Sequence, residues 1–203
     1  MKIICVGRNY IDHIYELDNP KPSEPVFFLK PDSSVLKKNQ PFFIPEFSNE
    51  IHFEVELLVK INRLGKHIQE KFAHKYYSHV GVGIDFTARD IQKKLKKQGL
   101  PWEKAKSFDQ SAVISEFLPL SDFDNIQNIE FSLKHNNDLV QKVNSQQMLF
   151  SVDFLISYIS KYITLKIGDI IFTGTPAGVS RVNKNDILFA FIEKKKLLEV
   201  NIK

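Results

Sequence analysis

The sequence predicts a mainly β domain with a few helices, a rolled or sandwiched sheet in one unit spanning residues 1–203. Three observations carry this expectation. Short runs rich in β-branched and aliphatic residues recur along the chain, with turn residues between them. Only three stretches read as helical. The chain has 203 residues, 43% hydrophobic and 26% charged, which is enough for one sizeable core and ordinary for a soluble globular domain.

Taken in order, residues 1–7 (MKIICVG) read as a first strand, being too short and too quickly polar for a signal peptide. Residues 12–17 suggest a short helix or a flap within residues 11–18. Three prolines in 18–25 forbid regular structure, and 26–30 follows as a strand. Residues 52–61 and 80–85 are strand-like. A helix is expected over 87–98, with Thr87 as N-cap, Asp90 in its first turn and Gly99 just past its end. Residues 131–134 and 139–143 flank the turn His135-Asn136-Asn137-Asp138, where Asn tolerates positive φ, so they form a hairpin. Residues 151–162 place Phe154, Leu155, Tyr158, Ile159 and Tyr162 at helical spacing. A strand at 169–173 enters the Gly174-Thr175-Pro176 turn. Residues 187–192 and 197–202 close the chain as a second hairpin.

No apolar run is long enough to span a membrane. The one cysteine, Cys5, excludes an internal disulfide and a cysteine-based zinc cage, and is expected to pack as a small hydrophobe. The cytoplasm is the expected compartment. Net charge is +4. Much of it sits in two lysine runs, 93–97 and 194–196, which read as solvated faces; no nucleic-acid-binding module surrounds them. The excess charge suits small dianionic substrates.

The acids are the most informative residues. Glu54 and Glu56 stand two apart in a strand and so share a face, while Phe53, Val55, Leu57 and Val59 take the other. Asp85 ends a run in which Gly81 and Gly83 share its face, leaving room for an ion or substrate near the backbone. Crowded carboxylates need protons or a cation, and an all-oxygen cluster suits Mg²⁺ or Mn²⁺. The competing interpretation is a set of solvated acids on the outer face of a half-exposed sheet.

Other candidates surround them. Arg89 and Gln92, three apart at the start of a helix, could grip a substrate carboxylate, or Arg89 could pair with surface acids. His13 and Glu16, also three apart, could activate water, or form a surface pair. Lys106, bracketed by aromatics, reads as a partly desolvated cation near the acids or as an ordinary snorkelling lysine. Thr175 offers a hydroxyl to an anion, or serves the turn alone.

Six motifs in order carry a resemblance. They are Gly7-Arg8-Asn9-Tyr10 with His13 and Glu16; Phe28-Leu29-Lys30-Pro31; Glu54-Val55-Glu56; Asp85-Phe86-Thr87-Ala88-Arg89-Asp90-Ile91-Gln92; Gly99-Leu100-Pro101-Trp102 with Lys106-Ser107-Phe108; and the run from Gly168 to Pro176. Together they resemble the fumarylacetoacetate hydrolase family, most nearly its short acylpyruvate hydrolase and oxaloacetate decarboxylase branch. The resemblance implies a mixed β-sandwich roll, usually a homodimer. It implies Mg²⁺ or Mn²⁺ on Glu54, Glu56 and Asp85, and a catalytic His13–Glu16 pair on a flap. It makes Lys106 catalytic, and Arg89, Gln92, Thr175 and Lys30 substrate contacts. Fumarylacetoacetate hydrolase itself has a further aspartate ligand upstream of its histidine. Val6 and Gly7 offer no acid there, which favours a smaller 2-oxo acid.

The activity this implies is hydrolysis of the C–C bond of acylpyruvate-type 2,4-dioxo acids, through a pyruvate enolate that the metal stabilises. Oxaloacetate decarboxylation or tautomerisation, or an isomerase of the 2-hydroxyhepta-2,4-diene-1,7-dioate type, are the alternatives. A dimeric β domain without activity is the remote one.

Overall fold

The computed structural model describes residues 1–203. Its strands are β1 (Ile3–Gly7), β2 (Val26–Lys30), β3 (Ile51–Phe53), β4 (Val55–Ile61), β5 (Tyr77–Asp85), β6 (Thr87–Ala88), β7 (Ala112–Ile114), β8 (Leu118–Pro119), β9 (Glu130–His135), β10 (Asp138–Asn144), β11 (Ile170–Phe172), β12 (Ser180–Arg181), β13 (Ile187–Ile192) and β14 (Lys195–Asn201). The helices are α1 (Ile11–Glu16), α2 (Glu70–Ala73), α3 (Arg89–Gln98), α4 (Glu103–Lys106) and α5 (Val152–Tyr162).

The largest sheet runs β2-β1-β11-β4-β5-β7, with β8 also on β5. It is mixed: β1 and β11 are parallel and the other pairs antiparallel. One face, with Ile4, Val6, Val55, Leu57, Val59, Val80, Val82 and Ile84, enters a single cluster of 38 buried residues. A second sheet, β10-β9-β13-β14, sends Phe131, Leu133, Leu188, Ala190 and Ile192 into the same cluster. Two sheets sharing one apolar layer make a sandwich. Each fully buried aliphatic or aromatic side chain contributes about 1.5–3 kcal/mol. The opposite face of the main sheet carries a smaller cluster of Ile3, Cys5, Leu58, Ala112, Ile170 and Phe172. Cys5 thus packs as a hydrophobe, as expected.

The expected hairpins form as β9–β10 and β13–β14, and Asn136 takes the positive φ of 56°. In α5, the Ser151 hydroxyl accepts from Phe154 N at 3.2 Å, and Leu155, Ile156 and Ile159 face the core. Gly99 closes α3 in the left-handed conformation. No helix is long and apolar enough to cross a membrane.

Four expectations change. The run 52–61 is not one strand: it breaks at Glu54, where the chain leaves a small sheet, β12-β3-β6, and enters the main one. Thr87 is not a helix cap. It lies buried in β6, pairing with His52, and α3 starts after Ala88. Gly81 and Gly83 leave no room for a ligand. A Cβ on Gly81 would meet Ser115 Oγ at 2.9 Å, and one on Gly83 would meet Phe172 and Leu58 within 3 Å, so both serve packing. The lysine run 93–97 is not wholly solvated, because Lys96 turns inward to a cavity. Helices α2 and α4 were not anticipated; four residues are too few to carry a helical period.

Asp169 fastens the N-terminal strand to β11. It accepts from Lys2 N at 2.8 Å and Lys166 N at 2.7 Å, and pairs with Lys2 Nζ at 2.5 Å. Burial opposes its ionisation, but Lys2 and these amides outweigh burial and hold the carboxyl below its usual range. A depressed folded pKa stabilises above the unfolded value, about 4, and that stability fades as pH falls through the folded value. Asp169→Asn is therefore expected to flatten the acid side of a plot of thermal midpoint against pH.

Candidate active site

The C-terminal ends of β1, β11 and β5 and the N-terminal end of β4 lie together, because β11 runs parallel to β1 and β4 runs antiparallel to both β11 and β5. Glu54 and Glu56 flank the entry to β4, and Asp85 ends β5. The break at Glu54 delivers its side chain to the same place as that of Glu56. One carboxylate oxygen from each of Glu54, Glu56 and Asp85 lies within 4.8 Å of the others, and all three residues are buried, at 4%, 2% and 1% exposure. The interpretation as solvated surface acids is thereby excluded.

Two of these acids have cationic partners. Lys106, at the end of α4, places Nζ 2.7 Å from Glu54 Oε2, 2.7 Å from Asp85 Oδ2 and 2.6 Å from Thr87 Oγ1. Arg89 donates to Glu54 through Nη2 and to Gln92 Oε1 through Nη1. Burial would raise the Glu54 carboxyl, yet Lys106 and Arg89 overcome it and hold the group far below the carboxylate range. Lys30 lies behind Asp85 rather than on the cavity wall. Its Nζ is 2.7 Å from Asp85 Oδ1 and donates to Ser111 Oγ at 2.8 Å. Lys30 and Asp85 form a buried ion pair.

Glu56 differs. It has no basic partner within ion-pair distance and accepts one hydrogen bond, from Gly174 N at 2.7 Å. Burial, with the charges of Asp85 and Glu54, pushes its carboxyl well above the usual range. A buried, cation-free carboxylate beside two others fits a hard divalent cation. Glu54, Glu56 and Asp85 are the residues that could hold it.

Helix α1 closes the cavity and is tied down at both ends. Asn9, fully buried before it, donates to Thr173 O at 2.8 Å and Phe150 O at 3.1 Å. At the other end Glu16 Oε1 accepts from Gly178 N at 2.9 Å, while Glu16 Oε2 lies 3.0 Å from His13 Nδ1. Burial opposes ionisation of Glu16, but the hydrogen bonds of His13 and Gly178 hold its carboxyl low. With Glu16 ionised and accepting from Nδ1, the second ring nitrogen of His13 is the one free to exchange a proton.

His13, Glu54, Glu56, Asp85, Arg89, Gln92, Lys106 and Thr175 thus all line one cavity of about 40 Å³. The structure also shows what the sequence did not single out. Gln141, buried in β10, accepts from Val55 N at 3.0 Å and donates to Thr175 Oγ1 at 3.0 Å and Pro176 O at 2.8 Å. It ties the Glu54–Glu56 segment to the Thr175 turn. Its signal was present: it alternates with the apolar Val143, a polar residue on the buried side of a strand. Gln141→Leu leaves the Val55 amide unpaired and is expected to cost about 2–3 kcal/mol in denaturant unfolding.

The family model described as "Fumarylacetoacetate (FAA) hydrolase C-terminal" matches residues 2–203. The chain belongs to the fumarylacetoacetate hydrolase family. Among relatives in this family, the mitochondrial oxaloacetate tautomerase FAHD1 of Bos taurus is 42% identical over 190 residues, 94% of this chain and 86% of that protein. Oxaloacetate tautomerase YcgM of Escherichia coli K12 is 42% identical over 188 residues, covering 92% of this chain and 86% of that protein. Among solved structures, fumarylpyruvate hydrolase from Pseudomonas aeruginosa, in complex with Mn²⁺ and pyruvate, superposes with a TM-score of 0.93 at 32% identity. That match covers 100% of this chain and 89% of that one. The family expectation and the mixed, mainly β sandwich both hold. These relatives are enzymes, and the chain shares their fold.

Proposed function

We propose that this protein is a divalent-metal-dependent enzyme of small 2-oxo acids, and that its principal reaction is keto–enol tautomerisation of oxaloacetate, with decarboxylation as a companion activity. The observation that carries the reading is the uncompensated Glu56 carboxylate beside Glu54 and Asp85, in a cavity shared with His13. The 42% identity to oxaloacetate tautomerases over nearly the whole chain supports the choice of substrate.

A Mg²⁺ or Mn²⁺ ion on Glu54, Glu56 and Asp85 would supply Lewis-acid polarisation of the 2-oxo group. The chain supplies the rest. Arg89 and Gln92, adjoining the acids on α3, hold the substrate's 1-carboxylate. Thr175 presents a hydroxyl to developing negative charge on oxygen, and Lys106, whose three donors are taken by Glu54, Asp85 and Thr87, adds its positive charge nearby. His13, oriented by Glu16, removes a proton from C3, and a proton reaches the 2-oxygen to give the enol. Decarboxylation breaks the C3–C4 bond, releases CO₂ and leaves the electron pair in the enolate of pyruvate.

Hydrolysis of an acylpyruvate is the second reading, supported by the His13–Glu16 pair, which suits water activation, and by the likeness to a fumarylpyruvate hydrolase. Turnover of acetylpyruvate and oxaloacetate in parallel, with Mg²⁺, with Mn²⁺ and with EDTA, separates the two. Metal-dependent enol–keto exchange and CO₂ release from oxaloacetate, with slow or no loss of acetylpyruvate, is the expected result. Faster consumption of acetylpyruvate would replace the first reading with the second.

A further inference from the structure

Helix α3 carries Arg89, Gln92 and Lys96 at i, i+3 and i+7, so the three share one stripe. All three line the cavity. Arg89 lies at the carboxylate end, and Lys96 about 10 Å further along the helix axis. Across the mouth stands Arg8, whose guanidinium carbon is 5.9 Å from the centroid of the Trp102 ring. Arg8 holds a backbone φ of 60°. That left-handed conformation is strained for a non-glycine residue.

The cations of this cavity are unequal. Arg89 and Lys106 are engaged by Glu54 and Asp85. Glu56, the remaining acid of the wall, is turned to Gly174 N. No carboxylate is left for Arg8 or Lys96. Lys96 Nζ donates only to the neutral amide oxygen of Asn19. The exposed Asp18 acts on it from beyond ion-pair distance, and burial with the charges of Arg8 and Arg89 pushes the ammonium below its ordinary range. Two unpaired cations, held together at the end of the cavity away from the acids, form a site for an anionic group.

We propose that Lys96 and Arg8 are the subsite for the distal carboxylate, and that they make the enzyme select dianionic four-carbon 2-oxo acids over those whose far end is neutral. This rests on the reading that the cavity takes a small 2-oxo acid, and it names the determinant within that class. The direction of the stripe supports it. A 1-carboxylate at Arg89 and Gln92 directs the rest of a short chain along the α3 stripe toward Lys96.

Malate and 2-hydroxybutanoate test it without turnover. They share a four-carbon 2-hydroxy acid skeleton and differ only in a distal carboxylate against a methyl group. Calorimetric titration of Mn²⁺-loaded protein is expected to show malate binding roughly ten- to a hundredfold more tightly, as one charge-assisted contact warrants. Lys96→Met keeps the helix and the aliphatic stem. It should lose most of that preference, weaken 2-hydroxybutanoate less than about threefold, and raise KM for oxaloacetate far more than it lowers kcat. Arg8→Gln should shift the preference in the same direction. A Lys96→Met protein that still prefers malate overturns the subsite. So does equal weakening of both ligands, which would place Lys96 in flap anchoring through Asn19. If wild-type protein prefers malate through Lys96 yet turns over no oxaloacetate, the subsite holds and the proposed reaction fails. Turnover with no malate preference shows the reverse.

Discussion

Glu56→Gln is expected to remove Mn²⁺ binding at micromolar concentrations and to lower oxaloacetate turnover by roughly a hundredfold or more, with the fold intact. Glu56 is the acid with no basic partner, so its charge is the one most in need of a cation. Glutamine keeps the shape and can still accept from Gly174 N, and its amide can donate toward Glu54 or Asp85. Removing an uncompensated buried charge leaves thermal stability equal or raises it by about 1 kcal/mol. Calorimetry with Mn²⁺, read beside a melting curve, checks both halves. Wild-type affinity in the variant would sink the metal assignment.

His13→Ala separates the chemistries that one enolate site could support. Hydrolysis of acetylpyruvate and tautomerisation of oxaloacetate both need a positioned proton carrier, and His13 is the one whose ring Glu16 orients. Both rates are expected to fall about 10²–10⁴-fold. Decarboxylation needs no water attack and no proton removal to break its bond, so it is expected to fall by less than about tenfold. Following CO₂ release and enol–keto exchange on the same sample gives the comparison. Equal loss of all three would remove the distinction and make His13 a determinant of cavity closure.

Much of this site was legible in the residues, for physical reasons. Acids two apart in a strand, and an acid closing a strand beside glycines, pointed to convergence, and the three oxygens lie within 4.8 Å. The reason given for the glycines was wrong. They admit Phe172, Leu58, Ser115 and Phe117, because sequence shows that a Cβ is missing but not what fills its place. The sheet change at Glu54 was invisible for a similar reason. Residues 52–61 have one continuous β composition, and only long-range pairing with β6 and β11 splits them. Lys30 appeared as a substrate contact; the structure sets it behind Asp85, where it supports the acid from outside the cavity. Lys96 was concealed by three neighbouring lysines and a leucine. A stripe drawn from Arg89 through Gln92 would have reached it, since the next residue on that face is seven positions on. Gln141 lies far from every acid in sequence, and its role depends on a hairpin register that shifts between Leu139 and Gln141.

The most direct test is the enol–keto exchange of oxaloacetate by the wild-type protein, measured after EDTA stripping and again after Mg²⁺ or Mn²⁺ is restored. Loss of catalysis on stripping and its return with either ion is the expected result, tying the buried acids to the chemistry. An undiminished rate in EDTA would contradict the proposed metal centre, leaving Glu54 and Asp85 as an ion-pair network with Lys30, Lys106 and Arg89, and Glu56 as a buried carboxyl beside it.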